Sequence, residues 1–150
     1  MSTDRARAAG WKAVAEVRAL QSRAAEMAAI RAGNARGEAA RTHERSEAAL
    51  DEAHDGWAGA VEGFVFDPGL AGHWLALVGR RRAAEQDAGE ALNEAGRALA
   101  AKSAARHAAE ARAEVAVARH GEAEARAARR RDEARLATVE DRAARRGAPR

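Results

Sequence analysis

Apolar side chains recur every three or so residues early in the chain, at Trp11, Val14, Val17 and Leu20, and continue at Met27 and Ile30. That spacing predicts an amphipathic helix, for which Ser2, Thr3 or Asp4 offers a cap. From Arg31 to Ala49 the large apolar residues give way to alanine, glycine and charge. Gly33 and Gly37 fall in this stretch, and each costs about 1 kcal/mol of helix stability relative to alanine. Leu50, Trp57 and Phe64 then fall seven apart, with Val61 between, as in a short heptad seam. This seam is out of phase with Leu20 and Met27 by about two residues, which predicts a stutter or a change of partner along the helix.

The pattern breaks at Phe64-Val65-Phe66-Asp67-Pro68-Gly69-Leu70. Asp67 can accept a hydrogen bond from an unpaired N–H of a following helix, and Pro68 fits the first helical position because its missing donor has no partner there. The proline also pushes Asp67 out of helical geometry, which ends whatever precedes it. Phe66 would then pack back towards Ala71 in the new first turn. A reversal between two helices is the reading adopted, with a kink in one continuous helix as the alternative. Past the break, Leu70, Trp74, Leu77 and Val78 share a face, after which the seam thins to Leu92 and Leu99, seven apart. Val115, Val117, Leu136 and Val139 are the large apolar residues beyond. Arg145, Arg146, Gly147 and Pro149 form a helix-stop pattern.

The expected fold is all-α: a long two-helix antiparallel coiled-coil hairpin with its turn near Asp67–Gly69. It forms a single domain, with helix 1 over about 3–64, a turn at 65–69 and helix 2 over about 70–146. A turn there places residue n opposite roughly 134 minus n, so that Trp11 faces the region of Ala123 and the first residues face Arg131. The segment from about Asp132 to Arg146 is left without a partner in the chain.

Composition supports thin packing. Of the 150 residues 47% count as hydrophobic, yet roughly three in ten of all residues are alanine and aromatics make up only 3%. Two narrow helical seams need little more, whereas a globular core of this length does. The 26 basic and 23 acidic residues, net +3, are interleaved, which speaks for a solvated helical surface and against a nucleic-acid footprint. The lack of cysteine fits a reducing compartment, and Met1–Gly10 has no apolar signal core. The uncharged stretch Gly69 to Gly79 falls far short of the ~20 residues of a membrane span. A soluble, cytoplasmic protein is expected.

Catalytic chemistry finds no footing: there is no phosphate-binding glycine loop, no cysteine nucleophile, and no base placed for Ser22, Ser46 or Ser103. No enzyme, cofactor or small-molecule substrate is expected. The histidines (43, 54, 73, 107 and 120) are scattered, and only Asp51-x-x-His54 reads as a helical ligand spacing, so no metal is expected. Two clusters are candidates for binding partners. The first is basic and near the C-terminus: Arg129, Arg130, Arg131, Arg135, Arg142, Arg145 and Arg146, with Leu136 and Val139 among them. Arginine suits planar recognition of carboxylates and phosphates, and a solvated face complementing the helix dipole is the competing reading. The second is the hairpin tip, Trp57, Phe64, Phe66, Leu70 and Trp74, either a plug closing the hairpin or an exposed surface for a partner.

Phe66-Asp67-Pro68-Gly69-Leu70 followed by Trp74, with the tail Arg129-Arg130-Arg131-Asp132-Glu133-Ala134-Arg135, resembles the flagellar export chaperone family FliJ. It also resembles FliJ's injectisome relatives, the YscO-type type III secretion stalk proteins. The likeness spans essentially the whole chain and is architectural. It implies a non-enzymatic central stalk or adaptor, cytoplasmic and peripheral to a membrane-bound export apparatus, that binds a hexameric export ATPase and links it to the export gate. It makes Arg5, Arg7 and the Arg129–Arg146 segment candidates for the ATPase contact, and the tip a candidate for the gate component. A generic coiled-coil scaffold, including a homodimer, is the alternative. A basic surface binder of nucleic acid or acidic membrane is a third reading.

Overall fold

The computed structural model describes residues 2–147, with the backbone alone for Ser2, Arg145 and Gly147. Pro149, expected to follow the helix stop, lies outside the described residues. Two helices account for nearly all of the rest: α1, Ser2–Glu62, and α2, Pro68–Gly147. The fold is an all-α helical hairpin. The break between the helices is real, so the single kinked helix is excluded. Asp67 Oδ1 accepts hydrogen bonds from the N–H of Gly69 (2.8 Å) and Leu70 (3.2 Å), and the Asp67 carbonyl accepts the first helical bond from Ala71 N (2.9 Å). Asp67 is therefore the N-cap of α2 and Pro68 its first helical residue, as the sequence predicts. Gly63 directly follows α1, and a Cβ there would lie 3.0 Å from the Gly59 carbonyl oxygen, which favours glycine at this exit.

Contacts divide the chain into two compact units: Met1–Ala25 with Ala105–Arg150, and Glu26–Ala104. In each, the helices run antiparallel. In the first unit Asp4 Oδ2 meets Arg130 Nη1 at 2.8 Å, and Trp11 lines a groove with Ala123. In the second, His43 Nε2 lies 3.1 Å from Glu85 Oε1, and Trp74 lies against Gly56. The expected facing of Trp11 and Ala123 is thus realised.

The seam itself differs from the sequence reading. Its buried residues are alanines, with Ala53 only 1% and Ala116 only 2% exposed, and Val78 is the largest side chain among them. Val14, Val17, Leu20, Met27 and Ile30, read from the sequence as the inward stripe, are all exposed by 40% or more. The covered or half-covered positions of α1 in the first unit are Asp4, Trp11, Arg18 and Ala25, with Ala8, Ala15 and Ser22 between them. In the second unit they include Ala32, Ala39, Ser46, Ala53 and Ala60, with Ala29, His43 and Leu50 between them. These positions share one heptad register, while half-covered Gly37 and Gly56 stand beside it where the register positions Arg36 and Trp57 are exposed. Alanine wins these positions because a seam lined by methyl groups lets two backbones approach closely, and close-packed backbone supplies dispersion contacts that a bulky side chain would prevent. The larger residues flank the seam and cover it only in part.

Candidate functional site

The turn presents the most apolar surface of the Glu26–Ala104 unit. Phe64 is fully exposed, Val65 79% and Phe66 58%, three consecutive apolar residues in the non-helical link. Val61, Leu70 and Leu75 are also exposed on the flanking helix ends. Of the predicted tip residues, Phe64, Phe66 and Leu70 are open to solvent, whereas Trp74 is half-covered beside Gly56. Trp74 therefore behaves as a plug, and Trp57, 38% exposed, is largely covered as well. Asp67 fixes where the chain re-enters helix.

The second candidate cluster lies in the other unit. Arg5 shares a groove with Arg130 and Arg131, and Arg7 shares one with Arg119 and Arg126. The structure thus brings the two N-terminal arginines alongside α2, as expected of a facing pair of segments. Arg130 is engaged by Asp4, Arg126 by Glu122 at 3.8 Å, and Arg131 Nε donates to the Ala127 carbonyl at 3.3 Å. Arg5, Arg7, Arg129, Arg135, Arg142 and Arg146 have no carboxylate partner among the described residues, so their guanidinium groups are available to an outside anion. Leu136 and Val139 are exposed on the same length of α2. The Arg145 side chain lies outside what the structure describes.

Sequence spacing missed one cluster. His43, Glu47 and Glu85 come together, with Glu47 Oε2 3.6 Å from His43 Nδ1 and Glu85 on the other nitrogen. His43-x-x-x-Glu47 is a helical spacing visible in the sequence. Glu85 was not visible, because the register expected from the turn puts Ala91, about a turn and a half away, opposite His43. Asp51 and His54, the spacing singled out from the sequence, form no such group among the described residues.

Among the described residues no helix is long and apolar enough to cross a membrane. No protein-family model, no curated protein and no solved structure matches the chain.

Proposed function

We propose that this protein is a non-enzymatic adaptor that works by holding partner proteins. The observation that carries the reading is the link Phe64–Phe66, three consecutive exposed apolar residues with exposed Val61 and Leu70 on the helix ends beside them. Contiguous exposed apolar surface of this kind marks interaction sites. The unpaired arginines of α2 add a second contact suited to an acidic protein surface. The finer reading rests on the resemblance: a stalk of a flagellar or injectisome type III export apparatus, cytoplasmic and peripheral to the membrane. Its arginine-bearing segment would engage the hexameric export ATPase, and its turn the export-gate component.

The test is ATP hydrolysis by a purified type III export ATPase with and without the full chain. Stimulation, lost on combined Arg129, Arg135 and Arg142 substitution by Glu, is the expected result. A folded protein that neither binds nor stimulates the ATPase removes the stalk reading. A stable dimer in sedimentation would favour the scaffold alternative, for which the half-exposed Val14 and Val115 provide apolar surface.

A further inference from the structure

We propose that His43, Glu47 and Glu85 form a binding site for a divalent transition-metal ion of the zinc class, clipping α1 to α2 within the Glu26–Ala104 unit. The inference is independent of the adaptor reading. One imidazole and two carboxylates are a donor set that suits Zn²⁺. One ligand atom from each residue lies within 4.8 Å of the other two. His43 Nε2 and Glu85 Oε1 lie 3.1 Å apart in direct contact, and an ion with bonds of about 2.0–2.2 Å would need to part them by only a few tenths of an ångström to sit between them. Two ligands come from one helix face at a four-residue spacing, and the third from the facing helix, so an ion there ties the pair together.

The surroundings are consistent with a built pocket. His43 and Glu85 both occupy seam positions, with side chains only 21% and 26% exposed, where Ala39 and Ala88 stand at neighbouring seam positions. Polar groups at such positions cost desolvation that alanine would avoid. Gly89 faces the ring closely: a Cβ there would come within 3.3 Å of His43 Nε2. A bare backbone is what lets the imidazole lie in the seam beside Glu85. Glu47, 55% exposed, leaves the remaining side open to water as a fourth ligand.

The experiment is calorimetric titration of the untagged, chelator-stripped full chain with ZnCl₂, with MgCl₂ as control and thermal melts in parallel. One zinc per chain with a raised melting temperature, and no effect of magnesium, is expected. His43→Ala and Glu85→Gln should each weaken zinc at least about tenfold, while His54→Ala leaves it unchanged. Circular dichroism of each stripped variant confirms that helix content is intact, and Glu47→Gln serves as the ligand test if His43→Ala unfolds. No binding by the wild-type chain, or wild-type affinity retained by the folded ligand variants His43→Ala, Glu47→Gln and Glu85→Gln, overturns the proposal.

Discussion

Trp74 lies across Gly56 so closely that a Cβ on Gly56 would come within 2.6 Å of the indole ring. Gly56→Ala should therefore displace Trp74 and destabilise the protein, even though alanine is the better helix former by about 1 kcal/mol. Overpacking of this kind costs about 1–3 kcal/mol and outweighs the propensity gain. Gly10, Gly59 and Gly121 have nothing within 4 Å of a built Cβ. Their alanine substitutions should be stabilising, by about 0.5–1 kcal/mol each. Urea unfolding followed by helix content checks both signs, and a stabilising Gly56→Ala would contradict the packing described.

Asp67→Ala removes the acceptor for Gly69 N and Leu70 N. The expected loss is about 1 kcal/mol, within a range of about 0.5–2, and Asp67→Asn should retain most of it. Comparing the two in chemical denaturation isolates the cap from the loss of charge.

Phe64→Ser should change stability by less than about 0.5 kcal/mol, because its ring is fully exposed, and Phe66→Ser, with its ring partly covered, by somewhat more. A partner that uses the turn should lose binding by tenfold or more. A large fall in melting temperature would mean that these rings serve the fold instead.

Asp4 is largely covered while Arg130 is 70% exposed, so water screens their 2.8 Å pair. A double-mutant cycle with alanine at both positions should give a coupling of about 0.5–1 kcal/mol that shrinks with added salt.

The Glu110 carboxyl is held below its ordinary value of 4.5, first by the hydrogen bond from Arg106 Nε and then by nearby charge on Arg106 and His107. A lowered folded value gives stability that is present above the ordinary carboxylate range and lost as pH falls through the folded value. The group is exposed, so the effect is small. Glu110→Gln should flatten a little of the stability loss seen by unfolding between about pH 5 and pH 3.

The turn was legible in the sequence because Asp67-Pro68 acts through its own backbone, whatever lies around it. The facing of Trp11 and Ala123 followed from the turn by counting. Which residues line the seam did not follow. Large apolar residues normally mark the inward face, and here Leu20 and Met27 stand beside it while Ala15, Ala29 and Ala53 fill it. In a chain so rich in alanine, the buried alanines cannot be told from the exposed ones by type. The Glu85 contact was hidden for another reason: Gly89, two residues from the counted position, faces His43, and the long Glu85 side chain reaches the ring from a turn away along α2.

A zipper whose teeth are all one size closes nearly as well one notch over. Within the Glu26–Ala104 unit, the odd teeth are Trp74 in the gap left by Gly56 and His43 against Glu85. Such unlike positions set the alignment of paired helices, as single polar residues do in heptad seams. Filed down to alanine, they would leave two helices still joined but free to mesh in more than one notch.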